Sequence, residues 1–296
     1  MRPLVPARLA TLPFPLRLGV FFLTLAIGWL PLAALLALII RDANALTLVA
    51  MSLLFVEFLI LLPWWARRVN GIITPLRHYG LVWTQQNGRE FLEGLSLSVV
   101  GVFLLFGVQG ALGWLQWQWP QPRPPVSLLE QVLFAGGSQL NAGTLVGVAI
   151  AEGLLIGGLV ALAEELLFRG WLLDELQRDY RPAVALVVNS LLFATLHYLR
   201  PINEILQTFP QYLGLVLLGV MLVWAKWATG RLGLPIGLHG GLVWGYYMIT
   251  VAQLVRYTGQ VPDWVTGVGG NPLAGAIGFV FLSGLATYVW GRSRRA

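Results

Sequence analysis

Two adjacent carboxylates and a guanidinium, Glu164-Glu165-x-x-x-Arg169, close an apolar run that begins near Thr144. An ionisable group at the centre of a bilayer costs from about 2.5 kcal/mol upward, so such residues face a protein interior and need a partner. On a helix Glu165 and Arg169 stand four apart on one face, acid before base, the favoured order for an ion pair. Glu164 then points about 100° away and is free for other work. Screened from bulk water, it suits the role of a general base that takes a proton from water. The imidazole inventory is short: His78 lies in a polar, arginine-bearing linker, whereas His197 and His239 lie in apolar segments. His197 could orient the water that Glu164 activates, and His239 could donate to the developing oxyanion. Glu165, held by Arg169, would shape the site. The same Glu164, His197 and His239 could instead bind a divalent metal such as zinc, as a His₂Glu set does. The helical His-Glu-x-x-His signature is absent, which favours the metal-free version, and no cofactor is required. With no cysteine in the chain, thiolate nucleophiles and Cys-ligated metal sites are excluded.

These groups need three separate elements to bring them together. Asn189, Phe193 and His197 recur every four residues and share one helical stripe. His239 and Tyr246, seven apart, share a face of a later segment that opens with Gly237, Gly240 and Gly241, where a neighbouring backbone can approach closely. Phe193, Tyr246 and Asn189 are accordingly read as substrate contacts.

The composition states what solvent surrounds these elements. With 57% hydrophobic and 11% charged residues and a mean hydropathy of +0.74, the chain is an integral membrane protein. The net charge of +6 does not point to nucleic acid, because no basic cluster exceeds two residues and no base-reading motif is present. Eight apolar runs are expected to span: Leu18–Ile40, Leu46–Trp65, Glu93–Trp117, Thr144–Trp171, Pro182–Tyr198, Tyr212–Trp227, Pro235–Val255 and Pro272–Trp290. Ala43-Asn44-Ala45 resembles a signal-peptidase site, but the preceding apolar region is too long for a cleaved signal and more spans follow. The segment Ser127–Phe134 reads as a short amphipathic helix on the membrane surface. Glu57 and Glu152 fall inside spans, where a hydrogen bond to a neighbouring helix is the plain reading.

Counted over this layout, 15 of the 19 basic residues fall on the side of the termini; Arg41, Arg123, Arg200 and Arg256 fall on the other. The positive-inside rule then places both termini in the cytoplasm, in a membrane of the bacterial cytoplasmic type. The fold class expected is an all-α polytopic membrane bundle of about eight transmembrane helices. Residues 1–143 read as an N-terminal shell of three spans, 144–291 as a working core of five, and 292–296 as a basic tail. One difficulty stands out. If the fifth run is drawn as a full crossing, His197 lies at its far end, away from the depth of Glu164 and His239.

Taken together, Glu164-Glu165-x-x-x-Arg169, Phe193-x-x-x-His197 and His239 resemble the CPBP or Abi family of intramembrane proteases, the CAAX prenyl proteases and bacteriocin-processing enzymes. The likeness covers roughly residues 144–260. It implies a helical bundle with a conical cavity open to the cytoplasm and hydrolysis of a peptide bond in a membrane-anchored or lipidated peptide. The family's third motif commonly continues as His-x-x-x-Asn or Asp, whereas here the fourth residue after His239 is Val243. That departure removes a side-chain donor from the expected oxyanion site and leaves His239 alone or helped by Tyr246 or Asn189. Two other classes fit parts of the pattern: a catalytically silent scaffold of the same fold, and a proton- or ion-coupled transporter.

Overall fold

The computed structural model describes residues 9–134, 139–198 and 201–295. Arg2, Arg8 and Arg200, which enter the charge count, lie outside the described residues. The chain is helical almost throughout. In order, the long helices are α1 (Phe14–Ile39), α2 (Ala43–Arg68), α4 (Gln85–Ala111), α6 (Ala142–Glu165), α8 (Pro182–Leu196), α9 (Ile202–Thr229), α10 (Gly233–Val251) and α12 (Ala276–Ser293). Short pieces join them: α3 (Pro75–His78), α5 (Leu128–Leu133), α7 (Leu173–Asp179) and α11 (Asp263–Thr266). The strands β1 (Leu115–Trp117) and β2 (Val255–Tyr257) pair antiparallel beyond the ends of α4 and α10.

Each long helix corresponds to one expected run. Among the described residues, five are long and apolar enough to cross a bilayer: α1, α2, α4, α6 with its continuation to Asp179, and α9. At 15 residues α8 is shorter, covering about 22 Å against a hydrocarbon core of about 30 Å. This removes the difficulty over His197. It caps this short helix, and its ring lies 3.3 Å from Glu164.

The core is built around α10, which packs between α4 and α6, while α9 packs on α8 and α12. Small residues set these distances. A Cβ on Gly94 of α4 would lie 2.6 Å from Leu234 O, and one on Gly157 of α6 would lie 2.9 Å from Gly240 O. Backbone cannot yield as a flexible side chain would, so glycine is required there for helix contact. Gly157→Ala is therefore expected to cost about 1–3 kcal/mol by forcing α6 off α10. The adjacent Gly158 has open space around its Cβ position, so Gly158→Ala should be neutral or stabilising by up to about 1 kcal/mol. Thermal unfolding of the two variants in detergent checks the contrast; equal stabilities would refute the close-approach argument.

The α1–α2 hairpin stands largely outside this core. Only 6% and 17% of its two apolar windows are buried, against 39% for α6 and 44% for α9. It is fastened at one end. Arg17 donates through Nε to Glu175 at 2.8 Å and pairs with Asp179 at 3.2 Å, and the Phe21 ring stacks on Trp171 at 3.8 Å. Within the hairpin, Glu57 lies against Gly28, where any side chain would meet its carboxyl group.

The segment expected to lie on the membrane surface forms the short helix α5, opened by a capping box between Ser127 and Glu130. Burial resists ionisation of Glu130. Arg123 at 2.8 Å and the amides of Val126 and Ser127 outweigh that, holding its carboxyl below the usual carboxylate range.

Candidate active site

Glu164 and Glu165 end α6, and the helix does not stop there. Leu166–Leu172 continues it with π-helical bonding, and α7 completes a rod running to Asp179. The wider turn frees carbonyl groups that ordinary helix bonds would occupy, and π segments recur at functional sites for that reason. Here Phe168 O, which takes the Leu173 N–H across the wide turn, also accepts a bond from Asn189 Nδ2 at 2.7 Å, so α8 clips the π turn in place.

Arg169 sits in that turn, fully buried. Its Nη1 donates to Glu165 Oε1 at 2.9 Å, its Nη2 to Gly219 O at 3.3 Å, and its guanidinium carbon lies 4.3 Å from the Phe193 ring centre. Glu165 Oε1 also meets His239 Nδ1 at 2.8 Å. One buried carboxylate therefore joins α6, the π turn and α10. A buried ion pair needs such added hydrogen bonds to offset desolvation.

Glu164 points the other way, as helical spacing predicts. Its Oε2 lies 3.3 Å from His197 Nε2 and 3.8 Å from His239 Nε2. The far nitrogen of each ring is committed: His197 Nδ1 lies 2.8 Å from Phe193 O, and His239 Nδ1 faces Glu165. A carbonyl or a carboxylate paired with Arg169 can only accept, so both Nδ1 atoms carry hydrogen. It follows that a neutral ring would present a bare Nε2 lone pair to the Glu164 carboxylate. The charge count agrees with the geometry. Two carboxylates and one guanidinium leave a net negative charge that a single additional proton neutralises, and Glu164, His197 and His239 are placed to share it.

The imidazoles open onto a cavity of about 410 Å³ whose walls come from α4, α9, α10, the 271–273 turn and α12. Phe193, His197, His239, Val243 and Tyr246 line it, with apolar walls such as Leu105, Leu215 and Phe281. The structure thus brings together Glu164, Glu165, Arg169, Phe193, His197 and His239. Tyr246 reaches the same cavity, but its hydroxyl is spent on Gly270 O at 3.2 Å. Asn189 does not line it: the side chain is fully buried behind Phe168 and Phe193.

The polar lining residues Gln211, Tyr247, Thr250 and Asn271 are not anticipated from the sequence; Gln211 and Asn271 lie in no periodic pattern with the acids or imidazoles. Among the described residues no three His, Asp or Glu side chains have the grouping of a metal site.

The fold and the cluster define an all-helical protein with apolar helices of membrane-crossing length and an acid–imidazole site at an apolar cavity. Residues 146–245, about a third of the chain, match the family model described as type II CAAX prenyl endopeptidase Rce1-like. That stretch holds all five residues of the cluster, and the matched family is the protease family that the motifs resemble. No curated protein and no solved structure matches the chain.

Proposed function

We propose that this protein is an intramembrane endopeptidase that hydrolyses a peptide bond of a membrane-anchored substrate, of the prenylated CAAX type, with water activated by Glu164. The observation that carries this reading is the meeting of Glu164, His197 and His239 at one point on the edge of an apolar cavity. The lipidated part of the substrate would occupy the cavity, with Phe193 and Tyr246 against it. In the reactive state the additional proton resides on His239, whose Nε2–H then faces the scissile carbonyl oxygen. Water held beside Glu164 and His197 on the cavity side gives a proton to Glu164 as its oxygen adds to the carbonyl carbon. Glu164 returns that proton to the leaving nitrogen as the tetrahedral intermediate collapses. Glu165 and Arg169 hold His239, and Asn189 holds the π turn, so both act by positioning.

In this reading eight helices span the membrane, with both termini in the cytoplasm of a bacterial-type cell. Residues 1–143 form a shell around the working core at 144–291. A metal held by Glu164, His197 and His239 would take the place of the shared proton.

The test is cleavage of a fluorogenic farnesylated peptide by the purified protein in nanodiscs, with the unprenylated peptide alongside. Cleavage of the farnesylated peptide, undiminished by a chelator, is the expected result; loss on chelation would hand the three ligands to a metal. Val243 favours one other reading, a silent scaffold that binds such peptides without cutting them. It lines the cavity one turn beyond His239 and offers no hydrogen bond. Under the protease reading, Val243→Asn supplies a second oxyanion donor and should raise kcat about tenfold, short of the 10²–10³-fold a fully preorganised donor contributes. Peptide binding without turnover in both forms would establish the scaffold.

A further inference from the structure

The segment between α2 and α4 has two faces of opposite character. Its inner face is tied to the elements that carry the acid–imidazole cluster. Tyr79 is buried against Gly170, next in sequence to Arg169, where a Cβ on the glycine would lie 3.2 Å from Tyr79 Cβ. Lys226 Nζ donates to Tyr79 O at 2.7 Å, and Leu232 N donates to Gly80 O at 2.9 Å just before α10 begins. His78 meets Asp174 of α7 at 2.9 Å.

The outer face presents the reverse. Ile73 and Trp83 are 85% and 96% exposed, among the most exposed large apolar side chains of the chain. The same segment and its borders carry Arg67 and Arg68 at the end of α2, Arg77 on α3 and Arg89 on the first turns of α4, all exposed. None of the four has an ion-pair or hydrogen-bond partner among the described residues. Apolar and aromatic tips interleaved with unpaired cations, at the ends of membrane helices, match a headgroup layer: apolar groups seat at the acyl boundary and guanidinium groups meet phosphates.

We propose that the outer face of residues 67–89 is a binding surface for anionic lipid headgroups of the adjacent leaflet, with Ile73 and Trp83 inserted at the headgroup–acyl boundary. The inner face then transmits the seating of this segment to the π turn and to the start of α10. A soluble acidic partner would account for the arginines but not for the exposed Ile73 and Trp83. The proposal stands whether or not the cluster hydrolyses peptides, because its test reads depth and lipid dependence alone.

The chain has no cysteine, so nitroxides can be placed singly at Ile73→Cys and Trp83→Cys in the full-length protein. In nanodiscs of phosphatidylcholine containing phosphatidylglycerol, both labels should be more accessible to oxygen and less accessible to an aqueous nickel reagent than in phosphatidylcholine alone. Replacing Arg67, Arg68, Arg77 and Arg89 together by glutamine should abolish that shift, whereas replacing them by lysine should keep it. Labels that stay in water in both lipids would overturn the proposal. So would a shift that survives the glutamine variant, or one reproduced by inorganic phosphate in phosphatidylcholine nanodiscs, which would mark a free-anion site.

Discussion

Glu164→Gln is expected to lower kcat for peptide hydrolysis by about 10²- to 10⁴-fold, the contribution of a positioned general base, with little change in stability or KM. Gln keeps the shape of the side chain but cannot accept a proton from water. Glu164 makes its close contacts with imidazole nitrogens at 3.3 and 3.8 Å and takes no part in the buried Arg169 pair, so the bundle does not depend on its charge. The measurement is single-turnover cleavage in nanodiscs beside a thermal unfolding curve. A variant that cleaves at the parent rate would remove Glu164 from the chemistry. One that unfolds early would make it a structural group.

The opposite pattern is expected one residue along. Arg169→Leu should cost about 3–5 kcal/mol of stability, because it leaves the Glu165 carboxylate fully buried with only His239 Nδ1 to face it. Removing both charges should cost much less, since replacing a whole buried pair by apolar groups of similar size is often near neutral. The double variant Glu165→Leu with Arg169→Leu is therefore expected to unfold at a higher temperature than Arg169→Leu alone, while turning over slowly for want of a held His239. If the single and double variants unfold together, the stranded Glu165 charge is not the source of the loss.

These two acids could be told apart before any coordinates, because helix geometry alone separates neighbours by about 100° and aligns residues four apart. The same rule aligned Phe193 with His197. It could not announce the π turn at 166–172, where Arg169 gains Gly219 O and Phe168 O turns to Asn189. That turn is fixed by contacts from α8 and α9, not by local preference. For the same reason Asn189 was read as a substrate contact: its stripe was legible, but not which side of that stripe met the cavity. The cavity walls from α4 and α12 were hidden too, since Leu105 and Phe281 look like any lipid-facing apolar residue until neighbouring helices are placed. The eight apolar runs were visible individually, and the fifth, Pro182–Tyr198, is already short; what apolarity could not tell was that it stays short, as a helix of 15 residues, while the similarly short sixth run belongs to a helix of 28.

That shortness bears on the surrounding bilayer. In the proposed layout of eight spans, lipid beside α8 would meet a hydrophobic span several ångströms below the thickness of an ordinary membrane, and such a mismatch is relieved by local thinning at a cost of fractions of a kcal/mol per Å. Under the protease reading, a dimple of this kind beside His197 would bring headgroups and water down to the reacting bond, so a substrate held by its lipid tail need not be lifted out of the leaflet to be cut.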